Sequence, residues 1–192
     1  AEWCRQGVDI DATVNLSASP FHSEKFTTRL AVARHAAAVL GHPFLLANQV
    51  GGNDDLLFDG RSLAVWPDGR AVVAPSWQEG VLIVDITSPE ACRWVASEAE
   101  DALAIGEAPL MHLEASDDGT GMMDAIEELT NAVVAGLADY CRKSSITSVV
   151  LGLSGGIDSA VAACVAVAAL GAEKGTGLAM PSRHSSQHSI DD

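Results

Sequence analysis

Two adjacent glycines in the last third of the sequence separate an apolar run from an alanine-rich stretch. The run, residues 148–153, is typical of a strand, and the stretch, residues 159–170, is typical of a helix. Glycines at this point let the backbone approach an anion closely. The N–H groups of the first helical turn and the flanking serine hydroxyls supply donors, and the helix dipole favours negative charge. The hexapeptide SGGIDS, residues 154–159, is therefore predicted to bind phosphate.

A strand predicted at about residues 176–180 completes a β-loop-α-β unit, the pattern of a parallel, doubly wound sheet. The loop is not a Walker A motif, because no GKS or GKT follows the glycines, and it does not read GxGxxG. The alternative is a tight turn that is merely capped by Ser154 and Asp158. The combination of strand, glycines, serines and aspartate favours the phosphate site.

The net charge and the positions of the cysteines indicate which binding partners and which cellular compartment to expect. Among 192 residues, 11 Lys and Arg face 26 Asp and Glu, which gives a formal net charge of -15. Nucleic acid and anionic membranes both require a basic face, so neither is an expected partner. The four cysteines are scattered and form no CxxC pair, which indicates free thiols and a cytoplasmic location. Cys92 and Cys141 are expected on helices, and Cys164 in a buried apolar setting.

The first part of the chain is predicted to begin with a short buried strand at residues 12–16. A helix follows at about residues 23–40, with Ser23 as N-cap and Gly41 just beyond its end. Apolar residues at helical spacing define its expected buried face: Phe26, Leu30, Ala33, Ala37 and Leu40.

Further strands are predicted at residues 44–48, 62–66, 71–74 and 81–86, and the middle two form a hairpin through residues 67–70. Ser88 and Pro89 predict the start of another helix. Residues 106–123 have the composition of a linker. A helix is expected at residues 124–141, with one apolar side made of Ile126, Leu129, Val133, Leu137 and Tyr140.

SGGIDS resembles the pyrophosphatase loop, SGGxDS, of the adenylating enzymes that include NAD, GMP and asparagine synthetases. The resemblance implies that the loop holds the pyrophosphate of ATP while a substrate carboxyl group attacks the α-phosphorus. The implied ATP contacts are Ser154, Gly155, Gly156, Ile157, Asp158 and Ser159. Asp158 is the expected contact of Mg²⁺, since a hard cation prefers carboxylate oxygen.

The segment at residues 178–192 resembles the MPSR segment of glutamine-dependent NAD synthetases, which flanks the adenosine of ATP. By that resemblance Met180 packs against adenine, and Arg183 reaches phosphate or ribose. The alternative for Arg183 is an ordinary solvated loop. His184 and His188 are four residues apart, but no third ligand accompanies them, so no metal is expected there.

Residues 15–25 and 47–62, which contain NLSASP and FDGRS, resemble the nitrilase-type glutaminase domain of the same synthetases. In that family the residues at the positions of Ser19 and Lys25 contact glutamine. The alternative is that Ser19 only turns the chain and that Lys25 is a solvated helix residue. Glutaminases of this type use a cysteine followed by Glu-Asp, whereas Cys4 is followed by Arg-Gln, so no catalytic residue is assigned.

The resemblance predicts a partial glutamine-dependent NAD synthetase of α/β class. The C-terminal half of a nitrilase-like α-β-β-α sandwich (1–105) precedes a linker and connecting helix (106–145) and the start of a doubly wound ATP domain (146–192). The implied reaction amidates deamido-NAD with ammonia from glutamine, at the expense of ATP, in a homo-oligomer. The alternatives are another adenylating amidotransferase or a non-catalytic nucleotide-binding fragment.

Overall fold

The computed structural model describes residues 9–98, 109–119 and 123–179, which divide into two compact units between Leu129 and Thr130. Unit 1 holds β1 (Thr13–Ser17), α1 (Lys25–Leu40), β2 (Phe44–Asn48), β3 (Val50–Asn53), β4 (Leu56–Asp59), β5 (Leu63–Val65), β6 (Ala71–Val73), β7 (Gly80–Ile83), β8 (Arg93–Ala96), β9 (Met111–Leu113) and the first turn of α2 (Ala125–Lys143). Unit 2 holds the rest of α2, β10 (Val149–Leu153), α3 (Ile157–Leu170) and β11 (Gly175–Ala179). The predicted α/β class is confirmed.

A five-stranded sheet with the order β1-β2-β5-β6-β9 forms the centre of unit 1. β1 and β2 are parallel, and the other neighbours are antiparallel. The predicted hairpin of β5 and β6 is confirmed, and across its turn the Trp66 N–H donates to the Arg70 carbonyl at 3.0 Å. The parallel pairing places Ser17 and Asn48, the last residues of β1 and β2, side by side.

The two faces of this sheet are covered by different elements. α1 packs on one face, and its predicted buried residues Phe26, Leu30, Ala33 and Ala37 lie in the core. Leu63 and Val65 join that core, whereas Ala64 between them faces the opposite side, as the two-residue period of a strand requires. On the opposite side the buried residues are Ala64, Trp66, Val72 and Cys92, with Leu82 and Val84 packed against them.

The two ends of α1 match the sequence pattern unequally. Gly41 follows the last turn with a φ of 76°, and its N–H donates to the Ala37 carbonyl at 2.9 Å, as predicted. The N-cap prediction at Ser23 is wrong, because Glu24 occupies that position with a φ of 66° and no side-chain cap. Residues 22–25 form a tight turn, in which the Lys25 N–H donates to the His22 carbonyl at 3.2 Å. The helix therefore begins only at Lys25.

Three other predictions for unit 1 need correction. β1 is not buried, since Val14 and Leu16 are 62% and 82% exposed on an edge strand, while α1 packs on β2 and β5 further into the sheet. The helix predicted from Ser88 is only a 3-10 turn (Pro89–Ala91), because the chain turns back to pair β8 with β7. The stretch read as a linker contains β9, which pairs with β6.

The β7–β8 hairpin allows a first test at Gly80. A Cβ at this position would lie 2.4 Å from both the Trp94 ring and the Val95 carbonyl oxygen. Gly80→Ala is therefore expected to destabilise unit 1 by about 1–3 kcal/mol, the usual cost of overpacking. Urea unfolding followed by tryptophan fluorescence measures the loss, with Val81→Ala as control because Val81 is 60% exposed on the same strand. Equal, small losses in both variants would contradict the expected clash.

Unit 2 confirms the predicted β-loop-α-β arrangement. β10 and β11 are parallel, with Leu153 opposite Ala179 at their C-terminal ends, and α3 connects them. The predicted apolar side of α2 is wrong, because Ile126, Val133 and Tyr140 are all more than half exposed. Its buried residues are instead Ala132, Val134, Ala135, Asp139 and Cys141, since periodicity shows which side chains can be covered but not which face has a packing partner.

Within the described ranges, no helix is both long enough and apolar enough to cross a membrane.

Candidate functional site

The first candidate site is the loop between β1 and α1, which carries Ser19 and Lys25. The Ser19 N–H donates to Oδ1 of Asn48 at 2.9 Å. Ser19 precedes Pro20, which restricts Ser19 to extended backbone conformations. Ser19 and Pro20 are both half-buried. The loop therefore holds the Ser19 side chain at the C-terminal ends of the parallel strands β1 and β2.

Lys25 closes the same loop from its other end. Its ammonium group donates to the Pro20 carbonyl at 2.7 Å, and two of its three N–H groups remain for other acceptors. The Phe21 N–H donates to the Leu57 carbonyl at 2.6 Å, and the Phe21 ring meets the Trp77 ring edge-on at a centroid distance of 5.1 Å. These contacts fix the loop on β4 and bring Ser19 and Lys25 into one short, closed segment.

A buried group of charges lies behind this loop. Asp59 is 1% exposed and accepts two hydrogen bonds from the Arg29 guanidinium, at 2.9 and 3.2 Å. Nδ2 of Asn48 lies 3.4 Å from Asp59 Oδ1 and donates to the Gly60 carbonyl at 2.9 Å. Arg29 also donates to that carbonyl, at 3.2 Å. Asn48 thus connects the loop to the buried ion pair.

Arg61 extends the group on its other side. Its guanidinium lies 4.0 Å from Asp59, pairs with Glu128 at 2.7 Å and stacks over the Phe26 ring at 5.0 Å. Arg61 is 5% exposed, so its charge is compensated by these carboxylates rather than by water. Sequence reasoning assigned no role to Arg29, Asn48 or Arg61, because their partners lie 11 to 67 residues away in the chain.

The second candidate site is the SGGIDS loop in unit 2, which follows β10 and opens α3. Gly155 has a φ of 75°, a conformation that favours glycine, and Gly156 is extended at the helix N-cap. The hydroxyls of Ser154 and Ser159 lie 3.2 Å apart, and Ser159 donates to the Gly156 carbonyl at 2.8 Å. The two serines therefore close the loop into a ring.

The ring leaves donors available for an anion. The N–H groups of the first turn of α3 have no intrahelical acceptor, and the positive end of the helix dipole lies there. Asp158 is exposed in that turn. Among the described residues, no group of three or more His, Cys, Asp or Glu is arranged to hold a metal by itself. A single carboxylate fits Mg²⁺ that shares its coordination with phosphate oxygens. Met180 and Arg183 lie outside the described residues.

The three described cysteines are free thiols in different settings. Burial raises the pKa of the Cys92 thiol, which favours the unreactive protonated form. Cys92 ends the 3-10 turn in extended conformation rather than lying on a helix, whereas Cys141 is buried on α2 as expected. Cys164 is exposed, contrary to the buried setting predicted from its Ala and Val neighbours, because only Ala166 is fully buried along α3.

Two family models match the chain, the carbon-nitrogen hydrolase model over residues 4–95 and the NAD synthase model over residues 129–192. A glutamine-dependent NAD(+) synthetase from Synechocystis sp. is 40% identical over 188 residues, which are 97% of this chain and 30% of that protein. One from Rhodobacter capsulatus is 41% identical over 175 residues, 91% of this chain and 28% of that protein. The solved structure of the enzyme from Acinetobacter baumannii, in complex with ADP, aligns with a TM-score of 0.73 at 28% identity over 99% of this chain and 32% of that one.

The fold and the matched regions define an α/β protein in which a carbon-nitrogen hydrolase region precedes an NAD synthase region. The chain spans about a third of the length of the curated relatives it matches. Over nearly its whole length the chain is similar to part of glutamine-dependent NAD synthetases, which confirms the resemblance inferred from SGGIDS and NLSASP.

Proposed function

We propose that the protein carrying this sequence is a ligase that converts deamido-NAD to NAD, with ATP as energy source and glutamine as nitrogen donor. The observation that carries the proposal is the closed SGGIDS ring at the start of α3, which suits the pyrophosphate of ATP. ADP is bound in the related Acinetobacter baumannii structure, which supports the same ligand class here. In this reaction the carboxyl group of deamido-NAD forms an adenylate, which ammonia opens to the amide.

For the ATP site we propose contacts from Ser154, Gly155, Gly156, Ile157, Asp158 and Ser159, with Met180 and Arg183 beside the adenosine. Backbone N–H groups of the ring and of the first turn of α3 would hold phosphate oxygens. Asp158 would hold Mg²⁺ together with those oxygens, and the metal supplies charge neutralisation when it is bound. Local donors are needed because the chain as a whole has a net charge of -15.

For the glutamine site we propose Ser19 and Lys25. The Ser19 hydroxyl would bond the α-amino or carboxylate group of glutamine, and the Lys25 ammonium would pair with its carboxylate. The loop contacts described above support this role, since they restrain both side chains on one segment. We place this site in a nitrilase-like sandwich domain at residues 1–105, followed by a connecting region at 106–145 and the ATP domain from 146. The scattered thiols support a cytoplasmic enzyme, and transfer of ammonia between sites favours a homo-oligomer.

The overall activity is tested with the full-length protein that carries this sequence. We expect deamido-NAD, ATP and either glutamine or ammonia to give NAD, AMP and pyrophosphate in equal amounts, measured by liquid chromatography. A preference for another carboxylate substrate would indicate a different adenylating amidotransferase. Binding of MgATP without any amide product would indicate a non-catalytic nucleotide-binding protein.

Lys25→Ala in the full-length protein is expected to raise the KM for glutamine about 10–100-fold, because a hydrogen bond to a charged group is lost. The rate with saturating ammonia should stay unchanged, since ammonia bypasses the glutamine site. Lys174→Ala serves as control, because Lys174 is an exposed lysine of unit 2. Equal losses with glutamine and with ammonia in Lys25→Ala would contradict the assignment.

A further inference from the structure

The side chain of Asn48 joins the Ser19 loop to the buried charges of unit 1. Its Oδ1 accepts from the Ser19 N–H at 2.9 Å, and its Nδ2 donates to the Gly60 carbonyl at 2.9 Å. The amide therefore bridges the loop and the segment after β4, with its oxygen bonded to the loop and its nitrogen bonded to that segment. A side chain without both a donor and an acceptor at this length cannot make both bonds.

The orientation of the Asn48 amide is fixed by its surroundings. The Asn48 N–H donates to Oγ of Ser62 at 3.0 Å, which holds the backbone at the end of β2. The Asp59 carboxylate lies 3.4 Å from Nδ2 and is itself held by Arg29. A carboxylate and a carbonyl on one side select the NH₂ group there, so Oδ1 must point toward Ser19.

We propose that Asn48 is a positioning residue for glutamine binding, which sets the backbone of Ser19 so that its hydroxyl meets the substrate. The proposal rests on the assignment of Ser19 and Lys25 to the glutamine site. The bond to Asn48 occupies the Ser19 N–H, and Pro20 restricts the Ser19 backbone from the other side. The next residue along, Pro20, accepts from the Lys25 ammonium at 2.7 Å, so Asn48 also influences where that charge lies.

The test is Asn48→Ala in the full-length protein, with glutamine-dependent rates normalised to the ammonia-dependent rate of the same sample. We expect the KM for glutamine to rise about tenfold, the equivalent of one lost hydrogen bond, while the normalised kcat changes less than twofold. A merely structural role would reduce the fraction of folded glutaminase domain and hence the apparent kcat, without moving the KM. An unchanged KM would overturn the proposal.

The chain offers a matched control in Thr13→Ala. Thr13 begins β1, and its hydroxyl bonds the His42 ring at 2.8 Å, so this variant also removes a side-chain bond between the β1 and β2 regions, but at the other end of the strands. We expect an unchanged KM for glutamine in Thr13→Ala. A tenfold rise in this control would mean that any damage to the strand pair has the same effect, and would overturn a specific role for Asn48.

Two further measurements separate the possible failures. If Ser19→Ala and Lys25→Ala raise the KM but Asn48→Ala does not, only the positioning role is lost; if none of the three changes it, the glutamine site itself is wrongly placed. Hydrogen exchange of the wild-type protein, read on a peptide that contains Ser19, needs no variant to fold. We expect the Ser19 amide to exchange at least tenfold more slowly than an unstructured amide, and exchange at the unstructured rate would overturn the proposal.

Discussion

Replacement of Asp158 by alanine is expected to reduce ATP-dependent amide formation about a thousandfold, whether glutamine or ammonia supplies the nitrogen. Asp158 is exposed in the first turn of α3, beside the ring formed by Ser154 and Ser159. Loss of one preorganised group that stabilises developing charge typically costs a hundredfold to a thousandfold in rate. In the proposed reaction adenylate formation precedes the attack by ammonia, so we expect the effect to be independent of the nitrogen source. The measurement is NAD formation by the full-length variant with each nitrogen source.

Two other variants separate the charge of Asp158 from its effect on the helix. Asp158→Asn keeps the size of the side chain but removes the charge, so we expect nearly the same loss of activity and a higher Mg²⁺ requirement. Glu173→Ala removes an exposed carboxylate from the 3-10 turn (Ala172–Lys174) after α3 and should leave the activity within twofold of wild type. Retained activity in Asp158→Ala would contradict the assignment of the metal contact.

The second large effect is expected at Asp59, whose carboxylate balances two buried guanidiniums. Asp59 is bonded to Arg29 at 2.9 Å, and their side chains are 2% and 6% exposed. Asp59→Ala leaves the Arg29 charge buried without its partner, which typically costs about 3–5 kcal/mol. That loss is a large part of the 5–15 kcal/mol by which native domains are usually stable.

Urea unfolding followed by tryptophan fluorescence measures this change, because all four tryptophans precede residue 95 and so report on unit 1. Asp68→Ala is the matched control, since Asp68 pairs with Arg70 at 2.7 Å but both side chains are more than a third exposed. Exposed pairs contribute about 0–1 kcal/mol, so the control should barely move the midpoint. Similar midpoints for the two variants would contradict the role of the buried pair.

Local sequence patterns predicted the elements of unit 2 and several of unit 1. The β10-loop-α3-β11 order follows from an apolar run, two glycines and an alanine-rich stretch, each of which acts within a few residues. The end of α1 at Gly41 and the turn between β5 and β6 are of the same kind, since Gly41 and Gly69 adopt positive φ values that favour glycine. Because these signals act locally, they appear in the sequence without knowledge of the partners.

Features that depend on partners far away in the chain could not be predicted from local sequence patterns. β9 pairs with β6 about forty residues earlier in the chain, and its three residues have no clear pattern of their own. The face of α2 predicted to be buried is largely exposed, because helical periodicity does not show which side is covered. Cys164 is exposed although its neighbours are Ala and Val, because apolar neighbours in the sequence do not show whether another element covers them.

The sequence by itself was enough to recognise the resemblance to glutamine-dependent NAD synthetases. It also predicted a phosphate role for SGGIDS and glutamine contacts at Ser19 and Lys25, because these predictions depend on short stretches with fixed spacing. Only the tertiary structure showed that Asn48 ties the Ser19 loop to the buried pair of Arg29 and Asp59, whose members are 30 residues apart. The physical reason is that a buried charge is stable only beside its partner. Which residues become partners is decided by the packing of α1 against the sheet, and no local pattern encodes it.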